Sequence, residues 1–444
     1  MRWILGTGVL LLIGFLLQLD LLVYAMYVLA GILILTRTLS SIWIQGLTST
    51  RYVQEKQLEI GDSVQISVTV NNNLPFTIPW VLMEEEGPVD DLTCSPPRLK
   101  LKGSRLSLES LKPKSNHGFN YEAKFSAPGY YPLGPVQVET GDVFGLHQRH
   151  RTLGKRDGIL VLPKIIPIQR NQWESNRALG ETSITHRLFE DPARYSGIRP
   201  YQAGDPLNRI HWRATARTGH LQTRIFDPTC IQGATIVIDF HLESFEGAKA
   251  IAESQLLVTT AASLAHAFHE KGEQVGLMAL AGDKAERIQR EDLESIRKLD
   301  SPWFARSPKE TGPIEEAIIV PTKKGEHQLP VIKESLAKME FAKNATFAPW
   351  ISNYQNRLPR DASVIVIART LNETLLHGLI ALKASKFRIS LIQVNWQSEI
   401  QPDWAAPSPE RAALASTGVP VFHVRQEQDI PWLGSNITPS DARL

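Results

Sequence analysis

Trp3 to Leu35 is almost wholly apolar, with a polar interruption only at Gln18 and Asp20. Such a run belongs in a bilayer, and it dictates how the rest of the chain is placed. As one helix it would extend roughly 50 Å at 1.5 Å per residue, well beyond a hydrocarbon core of about 30 Å, and would set Asp20 at mid-membrane. Two short helices joined near Asp20 avoid both problems, each arm of about fifteen residues asking for local bilayer thinning or a shallow hairpin. Residues 1–40 are therefore expected to form a transmembrane helical hairpin. Arg2 precedes it, Arg37, Arg51 and Lys56 follow it, and the turn is acidic. The positive-inside rule then puts both ends, and the bulk of the chain, in the cytoplasm of a multi-pass protein. A cleaved signal peptide with Arg2 as its basic region is the rival reading, against which apolar sequence continues well past any cleavage point.

The 444 residues, 43% of them hydrophobic, support two or three domains. Lys and Arg number 48 against 46 acids, a net charge of +2, so no domain-wide basic surplus points to nucleic acid. Cys94 and Cys230 stand far apart and imply no disulfide framework.

Residues 51–165 change to short alternating runs separated by Pro, Gly and Asn. Ile66, Val68 and Val70 alternate with polar neighbours, as do Phe119, Tyr121, Ala123 and Phe125, then Val136 and Val138. This period of two predicts an antiparallel β-sandwich. Residues 230–426 alternate strand and helix: a strand at Thr235 to Asp239, a helix from Ala248 to Lys271, and a strand from Gln274 to Ala281. Further on come a helix from Leu329 to Lys343, a strand from Ser363 to Ala368, a helix from Glu373 to Ser385, and strands at Arg388 to Val394 and Pro420 to Val424. Continuous apolar strands in that order predict a Rossmann-like α/β domain, its mainly parallel sheet covered on both faces. Ser301 to Gly325 reads as a loop and 427–444 as a loose tail.

Between these domains, residues 186–229 carry Arg199, Arg209, Arg213, Arg217 and Arg224 in a near-neutral chain. Asp205 as N-cap, Pro206 at the first turn and Gly219 just past the end predict a helix from Asn208 to Arg217. Arg209, Arg213 and Arg217, four apart, would line one face, and Leu207, Ile210, His211 and Ala214 would pack inward. Two roles compete for these cations. Paired with Asp205, Glu190 and Asp227 they would lock a domain interface; presented outward, the stripe would meet an acidic partner. Tyr201 and Trp212 read as packing residues.

Catalytic motifs are sparse. No Gly-x-x-x-x-Gly-Lys loop and no Gly-x-Ser-x-Gly elbow occurs. Ser295 to Lys298 and Ser335 to Lys338 match Ser-x-x-Lys without companion motifs, and read as helix surface. His266 and His269 find no third metal ligand and read as a helix-end pair near Glu270.

The α/β domain looks like the von Willebrand factor A fold, whose metal site uses Asp-x-Ser-x-Ser after the first strand. Here Asp239, His241 and Glu243 stand at those positions, and Ala368-Arg369 follows the later strand where the fold usually supplies an aspartate. The resemblance thus implies a degenerate site without metal or other cofactor, and Arg369 is expected to approach Asp239 and supply the missing positive charge.

Arg199, Tyr201, Gly204, Asp205, Arg209, Ile210, Trp212, Ala216 and Arg217 form the pattern Arg, Tyr, Gly-Asp, Arg-Ile-x-Trp, Ala-Arg. In this the chain resembles the bacterial membrane-protein family known as domain of unknown function 58. Gly129 to Pro135 and Asp142 to Leu146 fit it upstream, although Ala127-Pro128 stands where an Arg-Arg pair is often seen. The resemblance implies a protein of the bacterial inner membrane that partners a MoxR-type AAA ATPase and a transglutaminase-like membrane protein. It implies a non-catalytic adaptor; the alternative is a cell-envelope enzyme using acid-base residues near Asp205 or Asp239.

Overall fold

A computed structural model of the chain describes residues 2–17, 20–94, 96–142, 145, 147–168, 189–202, 205, 207–229, 233–245, 249–300, 316–360, 362–395 and 409–433. It divides into two compact units: Met1–Lys164 with Asp283–Pro313 and Leu336–Lys338, and Ile165–Gly282 with Ile314–Ser335 and Met339–Leu444.

The apolar run of the first unit forms α1 (Arg2–Leu16) and α2 (Asp20–Gln45). The second arm is much longer than the expected fifteen residues. Thr36, Thr38 and Ser40 read as the end of an apolar segment, yet their hydroxyls donate back to the carbonyls of Leu33 at 3.1 Å, Leu35 at 2.8 Å and Arg37 at 3.0 Å. Turned inward on the helix in this way, they do not break it. Among the described helices α2 alone is long and apolar enough to cross a membrane, and it supports a membrane anchor near the amino terminus. The 15 residues of α1 fall short of the roughly twenty that a crossing takes. The structure therefore does not carry the expected hairpin of two crossings, or a multi-pass protein.

Only Gly46 separates α2 from β1 (Leu47–Val53). The strands that follow are β2 (Gln57–Glu59), β3 (Ser63–Asn72), β4 (Ile78–Glu85), β5 (Leu99–Gly103), β6 (Leu106–Leu111), β7 (Asn116–Phe125), β8 (Gly129–Leu133), β9 (Val136–Gly141), β10 (Gln148–Leu153) and β11 (Asp157–Leu162). They build antiparallel sheets in the orders β1-β3-β7-β5 and β10-β9-β4-β6, and a three-stranded sheet β2-β11-β8 in which β2 and β11 run parallel. The alternating residues face one shared core: Ile66, Val68 and Val70, Phe119 to Phe125 at every second position, and Val136 with Val138 are all buried. Trp43 and Ile44 of the last turn of α2 belong to the same core, so the membrane helix is seated in the sheets by apolar burial. Arg51, counted among the flanking cations, is spent inside this unit. Its Nε meets the fully buried carboxylate of Glu85 and its Nη1 lies 3.3 Å from Asp157.

The helix Lys284–Asp300 clusters with these sheets and interrupts the expected continuous stretch 230–426. Lys284 reaches Asp91 at 3.1 Å and lies over the Tyr131 ring, while Arg156 reaches Asp292 at 3.2 Å.

In the second unit β12 (Phe189–Pro200) and β13 (Gln222–Thr229) form an antiparallel pair, and the short helix Trp212–Thr218 lies between them in sequence. The larger sheet has β14 (Gly233–Asp239), β15 (Gln274–Asp283), β16 (Ile318–Lys323), β17 (Met339–Phe341), β18 (Ser363–Ala368), β19 (Ile389–Val394) and β20 (Val421–Val424). Their order is β16-β15-β14-β18-β19-β20, with β17 on β15, and β14, β15, β18, β19 and β20 run parallel while β16 is antiparallel. The helix Ala250–Glu270 connects β14 to β15, and Glu373–Ala384 connects β18 to β19. Every residue of β14 is buried, as a strand covered on both faces requires. The helix expected to run to Lys343 stops at Lys338, because Met339 to Phe341 pair with β15 and Phe341 stacks on Phe240 at 4.6 Å. Cys230, the tail from 434, and most of the expected loop from Ser301 to Gly325 lie outside the described residues.

Candidate functional site

The chain runs from β14 outward through β15 to β16, then crosses back to β18 and leaves the other way, so β14 and β18 flank a topological switch point. In open parallel sheets ligands gather beyond the carboxyl ends of such strands. Asp239 closes β14 there at 1% exposure. Its carboxylate has only long contacts, from His241 N at 3.4 Å and Ser244 Oγ at 3.5 Å. Burial pushes its carboxyl up to about 6, outweighing these donors.

Arg369, just past β18, does not pair with Asp239 as the sequence predicts. Its Nε contacts the carboxylate of Glu253, and its Nη1 donates to the Ser244 carbonyl at 2.7 Å. The Nε contact is an ion pair without hydrogen-bond alignment. Glu253 lies in the first turn of the helix Ala250–Glu270 with its side chain only 3% exposed. Nothing in the sequence singled it out, because an acid in the first turn of a helix is the ordinary partner of the helix dipole. Only its burial marks it, and that comes from the crossover that lays this helix on the sheet.

The other degenerate metal positions disperse. His241 is buried and bridges by its backbone to Ala342, whereas Glu243 sits exposed in the 3-10 turn Leu242–Phe245. Among the described residues no three His, Cys, Asp or Glu side chains come close enough to hold a metal. His266 lies 3.6 Å from Glu270, a contact along one helix.

The Arg-rich segment is built around Asp205. Both its oxygens are taken by Arg199, at 2.7 and 2.8 Å, and Oδ2 also accepts from Gln202 N at 3.0 Å and Thr223 Oγ1 at 3.4 Å. The Arg199 guanidinium holds the Asp205 carboxyl below the usual carboxylate range. Asp205 thus clamps β12 to the loop after it and is not the helix cap. That role falls to His211, whose Nδ1 accepts from Ala214 N at 3.0 Å, while Gly219, at φ 73°, ends the helix as predicted. The helix is correspondingly shorter than expected, Trp212–Thr218, and Arg209 stands outside it in the 3-10 turn Leu207–Arg209. Of the residues expected to pack inward Ile210 is buried at 4%, but Leu207 is 71% exposed. Trp212, read as a packing residue, is 66% exposed. Tyr201 is half-buried and its N donates to Leu221 O at 2.9 Å. Arg213 and Arg217 are exposed and carry no ion pair among the described residues. Gly204 and the side chains of Glu190 and Asp227 lie outside the described residues.

Arg213, Arg217 and Trp212 are thus the large exposed side chains of the short helix. The Asp205 carboxylate is already paired with Arg199, which makes it a poor general base.

Comparison with known proteins places these features. Residues 197–312 match the family model described as "Protein of unknown function DUF58". A Bacillus subtilis (strain 168) protein described as "Uncharacterized protein YeaD" is 25% identical over 247 residues, which cover 54% of this chain and 58% of that protein. The chain thus spans just over half the length of this relative. Among solved structures, the CARDB domain of a Pyrococcus furiosus protein is 13% identical and covers 26% of this chain and 87% of its own, with a TM-score of 0.18. The GAE domain of GGA2p from Saccharomyces cerevisiae is 11% identical over 26% of this chain and 88% of its own, with a TM-score of 0.19. Scores this low carry no argument.

Proposed function

We propose that this protein, whose residues 197–312 match the model of the family of unknown function DUF58, is a membrane-anchored, non-catalytic adaptor whose second unit captures a protein partner in a cell-envelope process. The partner implied by the family resemblance is a MoxR-like AAA ATPase, with a transglutaminase-like membrane protein as a further associate. One observation carries the reading: Trp212 stands exposed beside Arg213 and Arg217, on a helix pinned at both ends by His211 and Gly219. An exposed indole that shares a fixed helix with two guanidiniums free of ion pairs among the described residues has the make-up of an interface hot spot.

The sheet order, with an antiparallel edge strand and a switch point between β14 and β18, supports a von Willebrand factor A-like reading of the second unit. At the position of that fold's metal site, Arg369 pairs with Glu253, which favours a binding module over a metal-dependent one. Asp20 begins α2, Arg37 stands in its second half and Lys56 follows it, which favours the cytoplasm for the units after the anchor. An enzyme drawing on Asp205 or Asp239 is less well supported, since the first is clamped by Arg199 and the second is sealed from solvent.

The test is a pull-down of the full chain from native membranes with and without ATP, using Arg213→Glu/Arg217→Glu as control. Nucleotide-dependent recovery of a MoxR-like protein that the charge reversal abolishes supports the adaptor. Equal recovery with the folded double variant, or none with either, overturns it.

A further inference from the structure

β10 is an edge strand reading Gln148-Arg149-His150-Arg151-Thr152-Leu153, and its first five residues are exposed. Its cross-strand register with β9 fixes where each side chain points. Arg149 and Arg151 stand opposite Thr140 and Val138, both buried, so the two arginines share the core side of the sheet. At this edge that side is turned toward the end of α2. Arg151 Nη1 donates to the last carbonyls of α2, to Ile44 O at 3.1 Å and Gln45 O at 2.8 Å. This satisfies orphan carbonyls at a helix carboxyl end and places a cation on its dipole.

The contact sets the height of the strand against the helix. Gly154, past the end of β10, abuts Ser49 of β1, on the far side of Gly46 from α2. β10 therefore runs away from the anchor from Arg151 onward, and its beginning points back along α2. Two strand residues span at most about 7 Å, so Arg149 lies up to that much nearer to the membrane than Arg151. If about twenty residues of α2 from Asp20 span the hydrocarbon, Gln45 stands roughly 8 Å beyond the boundary. Arg149 then falls within the headgroup layer. His150, on the opposite face, turns to Glu139 at 3.6 Å.

We propose that the start of β10 is a lipid-contact site in which Arg149, held in register by the grip of Arg151 on α2, engages the phosphates of anionic headgroups. The complementarity is of charge: an exposed guanidinium without an ion pair among the described residues, at the depth where a bilayer presents phosphate. A cation near such a surface is drawn to it, and the attraction falls off within a Debye length. The inference rests on α2 being the membrane anchor.

The test uses the full chain in nanodiscs, with Cys94 and Cys230 replaced by Ser and a fluorophore on Gln148→Cys, quenched by headgroup spin-labelled lipid. Quenching is expected in phosphatidylcholine, and about twofold stronger with about 30% phosphatidylglycerol. The increment should vanish in about 0.5 M salt and in Arg149→Glu, and fall in Arg149→Gln, which tests the charge without reversing it. Protein that enters nanodiscs but shows no quenching, or shows the same increment in Arg149→Glu, overturns the proposal. Failure to enter nanodiscs at all would remove the anchor reading first and the lipid contact with it.

Discussion

Asp205 binds both terminal nitrogens of Arg199, at 2.7 and 2.8 Å, across the loop that leaves β12. The Arg-rich segment is therefore, at its centre, an internal clamp, and Trp212, Arg213 and Arg217 are left exposed outside it. Asp205 is an acid with a depressed pKa, so the stability it contributes is present above its unfolded value of about 3.9 and is lost as pH falls through its folded value. Amides of Gln202 and His211 are expected to exchange faster with deuterium near pH 3 than near pH 6, after correction for intrinsic rates. In Asp205→Asn that difference should disappear.

Asp239 behaves in the opposite sense. Its pKa is raised to about 6 by burial, so folding favours the protonated form. From about pH 4 to about 6 its contribution falls, to an order-of-magnitude penalty of about 3 kcal/mol at pH 7. Asp239→Asn should raise the urea midpoint at pH 7 and leave it little changed at pH 4. A variant less stable than the parent at pH 7 but not at pH 4 would show that the carboxylate is needed in its charged form.

Arg369 and Glu253 form a buried pair, and removing one member strands the other. Arg369→Met is expected to cost about 3–5 kcal/mol in equilibrium unfolding, and Arg369→Met/Glu253→Leu to regain much of it. Additive losses in the double variant would mean that the two groups do not act on each other.

Trp212→Ala should leave stability within about 0.5 kcal/mol, because the ring is 66% exposed. Partner capture, scored in the pull-down against Arg213→Glu/Arg217→Glu, should fall sharply. A large thermal shift with capture intact would mark the indole as structural.

Strands declared themselves in the sequence wherever one face is buried and the other wet: Ile66, Val68 and Val70 alternate on the page as they do in the core. The parallel strands were equally legible from their unbroken apolar runs, and Ser363 to Ala368 forms β18 over the whole length expected. Legibility failed where partners are distant. Met339 to Phe341 has helical spacing with what precedes it and becomes a strand only because β15 offers a backbone to pair with. Glu253 looks like any first-turn acid until the fold buries it beside Arg369. In the Arg-rich segment Gly219 ended the helix as its type dictates, but the cap moved from Asp205 to His211 because Arg199 binds that carboxylate first. Trp212 was misjudged because size and apolarity alone do not say which side of a two-turn helix meets the core.

Gly46 gives α2 and β1 a junction one residue long, and a side chain there would collide with Leu74. With Trp43 and Ile44 in the sheet core and Arg151 on the helix's last carbonyls, the anchor is a mast and not a tether. With α2 held in a bilayer, a tilt or rotation of the helix would swing the attached sheets as one lever. A change in membrane thickness or a lateral push on the helix would then reach the sandwich as mechanical displacement, without any linker to absorb it.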